Sequence, residues 1–296
     1  MREKPEMTMK KPLLSWIIAA SFILPSMKLL SQTDSKEPVQ AFKKRVVFGE
    51  YDKAVTFPVM EGIPGQKDAQ ALRVVSLYLD ASANGQWKGF DATGTMTVGS
   101  GESQKQIPAS LSVGQRNRYR LDITTPSGIR SVRVEGPEGA VQQEDGKTFN
   151  LPAASAGTGL IPLPTTLSEA AGDKRDSLID DGLVELDGAK LHKITFIRSL
   201  FSRSPQAQSS LEHPLITTLF FDPKSHLLVK SADAVLLDTT SQTHHLRVIT
   251  YEDSRAIDGY VIPYRYRETI DGRLSWTLEL TNVTVATNHE AAYFHF

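Results

Sequence analysis

Seven histidines are the first residues whose chemistry needs placing: His192, His213, His226, His244, His245, His289 and His295. An imidazole serves as general base or metal ligand only with partners at set spacing. No H-x-H or H-x-x-x-H pair occurs, and the adjacent His244 and His245 would face opposite ways in a strand. No metal site is expected. Alternation puts His192 on the face of Ile194 and Phe196, where a hydrogen-bonded core histidine is favoured over a catalytic base, because no partner can be named.

The carboxylate pairs Asp180-Asp181 and Glu252-Asp253 flank expected turns and read as backbone partners there. The absence of cysteine excludes disulfides, thiolate catalysis, Cys-based metal sites and a lipid-modified N-terminal Cys. No G-x-S-x-G elbow is present; Gly99, Ser100, Gly101, Glu102 and Ser103 read as a turn. Gly157-Thr158-Gly159 lies in a Pro-rich stretch without the strand and helix that aim amides at phosphate. No catalytic residue and no cofactor are assigned. With 33 Lys plus Arg against 34 Asp plus Glu, the net charge of −1 argues against a general nucleic-acid binder. Arg116, Arg118 and Arg120 alternate with less polar residues, as a solvated outer face would; a lipid-headgroup contact is the alternative.

The elements that would position these residues begin with a basic flank, Arg2 to Lys11, and an apolar run, Leu13 to Leu24. This is the pattern of an export signal over 1–32, or of an uncleaved anchor. A polar tether over 33–65 follows. Leu72, Val75, Tyr78 and Leu79 have helical spacing, with Asp68 at the start and Asn84-Gly85 as the stop. Beyond it the pattern is strand and turn, about ten strands, and five Asp-Gly pairs (Asp145, Asp181, Asp187, Asp258 and Asp271 leading) predict tight hairpins. In the segment 273–281, Leu274, Trp276, Leu278 and Leu280 share one face; the preceding strand places Ile262, Tyr264, Tyr266 and Ile270 together, with Pro263 marking an edge or bulge. Short connections favour an antiparallel meander. The exception is 151–181, a Pro-, Ala- and Gly-rich insertion with a short helix expected at 165–171, read as a lid or as a surface loop.

The order helix, GFDATGTMTV, YRLDITTPSGIRSVRVEGPEGAVQQEDGKTF, Pro-rich insertion and further strands resembles the LolA/LolB-like lipoprotein-carrier superfamily of bacterial envelopes. GLVELDGAKLHKITF, FDPKSHLLVKS and ITYEDSRAIDGYVIPYRYRETIDG resemble the late strands of exported LolA-like domains of unassigned role, and the likeness spans about 66–296. It implies a mainly β (α+β) domain: a strongly curved antiparallel sheet, an incomplete barrel, with one N-terminal helix and a lid over an apolar concavity. The missing cysteine disfavours the lipid-anchored LolB type.

Met96, Val98, Leu121, Ile123, Val132, Ile194, Phe196 and Trp276 are then expected either to fill the core or to line a cavity for lipid or lipoprotein acyl chains. The expected protein is a non-catalytic, periplasmic or envelope carrier that meets a membrane only through its N-terminal segment. Three alternatives remain: an envelope enzyme with dispersed acid and base residues, an outer-membrane barrel suggested by Tyr293-Phe294-His295-Phe296, and an envelope scaffold protein.

Overall fold

The computed structural model describes residues 65–83, 87–99, 104–115, 117–136, 138–151, 164–198, 215–236, 244–285 and 287–295. The expected export segment, nearly all of the tether, Gly157 to Gly159, Arg116 and His213 lie outside them. No described helix is long and apolar enough to cross a membrane.

Helix α1 (Ala69–Ala83) is followed by six strands: β1 (Phe90–Val98), β2 (Lys105–Gly114), β3 (Arg118–Thr125), β4 (Gly128–Glu135), β5 (Glu138–Gln142) and β6 (Thr148–Asn150). Helix α2 (Pro164–Gly172) precedes the other seven: β7 (Ser177–Leu186), β8 (Ala189–Arg198), β9 (Leu215–Phe221), β10 (Leu228–Leu236), β11 (His244–Ile257), β12 (Tyr260–Ile270) and β13 (Arg273–Val285). A 3-10 turn, Ala291–Phe294, follows them.

All thirteen strands form one antiparallel sheet in the order β6-β5-β4-β3-β2-β1-β13-β12-β11-β10-β9-β8-β7. The chain therefore meanders outward from the centre to one edge, crosses through α2 to the far edge, and meanders back until β13 pairs with β1. The β6 and β7 edges do not pair with each other, so the sheet is an incomplete barrel. An outer-membrane barrel has a closed wall instead, which the described strands do not form.

The sequence pattern misses β5, β6 and β7. Asp181-Gly182 is not a hairpin: it sits inside β7, where the register against β8 shifts between Asp180 and Gly182 and Gly182 has φ 78°. A bulge of this kind uses the same positive-φ glycine as a turn. The expected insertion is accordingly shorter, since 177–181 already belongs to β7. Asp187-Gly188, Asp258-Gly259 and Asp271-Gly272 do turn hairpins, both residues of each having positive φ.

The β7 edge is covered. Leu178 N–H donates to Gln66 O, Asp68 N–H to Leu178 O and Asp180 N–H to Asp68 Oδ2, so the chain leading into α1 pairs with the outermost strand. Lys67 Nζ donates to Ala170 O and, at 3.0 Å, to Asp176 O, a cation at the last turn of α2. Helix α1 packs against α2, β7 and β12. Its face of Ala71, Val74, Val75 and Tyr78 joins Leu167 and Ala170 of α2 in one apolar cluster with the inner face of the sheet. Both helices thus lie across the concavity.

Candidate ligand site on the concave face

Cross-strand register decides which residues share the concave face. Met96 opposes Leu278 and Val98 opposes Trp276; Leu121 opposes Val132; Ile194 opposes Leu219. With Ile123 and Phe196, all eight residues proposed from the sequence are buried in the cluster that α1 and α2 cover. The expected row on β13 holds from Trp276 to Leu280, but Leu274 is 39% exposed. A register shift between Glu268 and Thr269 sets Leu274 opposite Thr269 and turns it outward.

Two parts of this interior differ in chemistry. The first lies where β12 and β13 part. Their pairing runs from Ile270–Arg273 only as far as Arg265–Glu279; beyond that β13 pairs with β1 alone and β12 with β11 alone. Pro263 sits on the unpaired side, which explains a proline inside an interior strand. Trp87 occupies this split, its ring 5.3 Å from Tyr260 and 5.9 Å from Phe90, both edge-on. Trp87 and Phe90 also line a small, partly open pocket of about 30 Å³ whose other walls come from α1, α2, β11, β12 and Leu227 and Leu228. Its lining includes Tyr78, Trp87, Phe90, Tyr251, Pro263 and Tyr266, and no charged side chain. Burial pushes the Tyr78 and Tyr266 phenols up and keeps them neutral. Tyr251 and Ser231 share a hydroxyl hydrogen bond of 2.9 Å, whereas the buried Trp87 Nε1 has no hydrogen-bond partner among the described residues.

The second part is ionic. Asp233 and Arg247 oppose each other on β10 and β11, and the guanidinium donates two bonds to the carboxylate, at 2.9 and 2.6 Å. Glu268, only 1% exposed, lies on β12 opposite Ile249 and Trp276. Burial raises its carboxyl pKa and Arg247 pulls the other way. Burial also disfavours the Arg247 charge, but Asp233, with Glu268 and Tyr119, more than offsets that, and the Arg247 pKa stands raised. Glu268 Oε1 has no hydrogen-bond partner among the described residues.

Neither part was recognised from sequence. Asp233, Arg247 and Glu268 nonetheless occupy the apolar phase of their strands, as Arg247, Ile249 and Tyr251 show. A charge in an otherwise apolar row is the signal that marks them.

His192 does acquire a partner: its Nε2 lies 2.6 Å from Asp180 Oδ1, which also accepts the Gly182 N–H at 3.0 Å. The pair pins the β7 bulge beside the start of α1. Asp181 turns to the other face, accepting from Thr195 at 2.6 Å with Lys193 at 3.6 Å. Among the described residues no group of three or more His, Cys, Asp or Glu is placed to hold a metal. On the outer face Arg118 pairs with Glu135 and Arg120 with Asp122, and the Arg120 guanidinium lies 4.8 Å from the Tyr293 ring centre. His289 bonds to Asp91 at 2.8 Å and stacks on Tyr293, and Phe294 is buried. The C-terminal aromatics thus pack as a strap on β1–β4.

No family model matches the chain. No curated protein matches it either. Solved structures do. A LolA superfamily protein from Nitrosomonas europaea is 10% identical, with TM-score 0.50 over 76% of this chain and 97% of that one. A putative outer membrane lipoprotein-sorting protein domain from Vibrio parahaemolyticus is 9% identical, with TM-score 0.53 over 76% and 96%. A DUF1329 family protein from Desulfovibrio piger is 8% identical, with TM-score 0.51 over 76% and 96%. The chain has the fold of these LolA-like proteins, and at such identities the likeness is one of fold alone.

Proposed function

We propose that this chain is an exported envelope protein that binds a lipid, or the acyl chains of a lipoprotein, on the concave face of its sheet. The observation that carries the reading is the cover of that face. Two helices of 15 and 9 residues, rather than a second sheet, close an apolar surface built from both halves of the sheet. Displacing α1 and α2 exposes Met96, Val98, Leu121, Ile123, Val132, Ile194, Phe196 and Trp276 as a continuous lining. Each buried CH₂ then contributes about 0.8 kcal/mol, so one long chain offsets the ordering cost of binding. The N-terminal segment supplies export, and remains as an anchor if uncleaved.

Native mass spectrometry of the full chain tests this. A retained mass matching an acyl lipid is expected; a ligand-free chain that also fails to take up a fluorescent fatty acid contradicts it. A second reading rests on the His192–Asp180 pair as an acid/base dyad of an envelope hydrolase or lyase. His192→Gln separates the two: loss of lipid-ester turnover by the chain, with folding intact, favours the enzyme, and unchanged lipid binding favours the carrier.

A further inference from the structure

We propose that the split between β12 and β13 recognises the uncharged carbonyl of an acyl ester or amide, with the Trp87 indole N–H as the donor. This rests on the lipid-binding reading of the concave face and specifies which part of the lipid meets which part of the protein. A buried donor without an acceptor costs free energy that a ligand oxygen can recover. Trp87 Nε1 is such a donor, on a residue that lines a small pocket and touches Phe90 of β1 and Tyr260 of β12, near where β12 and β13 stop pairing.

The lining decides what kind of acceptor fits. Tyr78, Trp87, Phe90, Tyr251, Pro263 and Tyr266 bring no cation to balance a carboxylate or a phosphate. The Arg247 guanidinium elsewhere in the interior is occupied by Asp233 in two bonds. An anionic group in this pocket would lose its hydration without a counter-charge, whereas an ester or amide carbonyl asks for one donor and aromatic walls. A pocket of about 30 Å³ admits the polar atom but is too small for a whole chain. The hydrocarbon therefore runs inward past Tyr78, Tyr251 and Tyr266 as α1 and α2 give way.

The test uses methyl palmitate and palmitate, of equal chain length, with the full chain. The Trp87 indole ¹H–¹⁵N signal, assigned by triple-resonance spectroscopy in the unaltered protein, is expected to move downfield with methyl palmitate. Palmitate at pH 8 is expected to bind at least about tenfold more weakly. Trp87→Phe keeps an aromatic ring and removes the donor, and is expected to weaken methyl palmitate about fivefold while leaving palmitate unchanged. The NMR reading does not depend on that variant folding. Methyl palmitate binding with the Trp87 signal unmoved, as a resident water would leave it, overturns this proposal alone. Equal affinity for the two probes does the same, and failure of both to bind overturns the lipid-binding reading with it.

Discussion

The two parts of the concave interior solve burial in opposite ways. Around Trp87 the polar groups are neutral, and Tyr251 hands its hydroxyl to Ser231. Around Arg247 the sheet buries full charges, held by a two-bond pair with Asp233 and a carboxyl that burial keeps protonated more readily than usual. Taking ions out of water carries a penalty that good geometry only roughly offsets. A neutral aromatic end is cheap to open and refill, whereas an ionic end is costly to disturb. The strand register agrees: β12 and β13 part at the aromatic end and stay paired beside Glu268. On the proposed reading, the neutral end is the one that exchanges with ligand and the ionic end the one that holds the curvature.

The largest expected effect breaks the ionic end. Arg247→Leu leaves Asp233 buried without its partner and should cost about 3–5 kcal/mol in denaturant unfolding. Adding Asp233→Leu and Glu268→Gln to that variant should recover most of the loss, because well-packed apolar residues replace buried ions at little cost. If Arg247→Leu costs no more than removing a single neutral hydrogen bond, the contrast between the two ends fails.

Glu268→Gln sharpens it. A carboxyl with a raised folded pKa binds its proton more tightly in the native state, so the chain gains stability as pH falls from the folded value through the ordinary carboxylate range. In the variant that part of the pH dependence should vanish, and stability at neutral pH should rise. An unchanged slope in pH-dependent thermal melts would contradict a buried, strained Glu268.

At the neutral end the effects are smaller. Tyr251→Phe removes the hydroxyl shared with Ser231 and should cost about 1 kcal/mol, measured by urea unfolding, without changing the pH profile. Smallest is Asp173→Asn, outside both regions. Asp173 bonds to Arg175, which holds its carboxyl at about 2. Its stabilisation is present above the ordinary carboxylate value and lost as pH falls toward 2; for an exposed pair it should stay below about 1 kcal/mol.

Much of the fold was legible because its signals are local. Leu72, Val75 and Tyr78 announce α1, and the alternation through Tyr264 and Tyr266, then Trp276 and Leu278, announces the sheet. β7 was missed because Asp181-Gly182 carries the chemistry of a turn, and only pairing with β8 makes it a bulge. That the eight residues are buried together was legible from period and from the resemblance; whether they line a cavity was not. Asp233, Arg247 and Glu268 were not, since an ion pair depends on register between strands rather than on spacing within one. Trp87 precedes its strand, outside any period, and acquires meaning only from the place where β12 and β13 separate.

The central claim is that ligand chains lie on the concave face beneath α1 and α2. It is tested most directly by photolabelling the full chain with a palmitoyl probe carrying a diazirine midway along the chain, and mapping the adducts by mass spectrometry. Adducts on Met96, Ile194, Phe196, Tyr251 or Trp276 are the predicted result. Adducts confined to the outer face, on residues such as Phe220 and Val248, would contradict it.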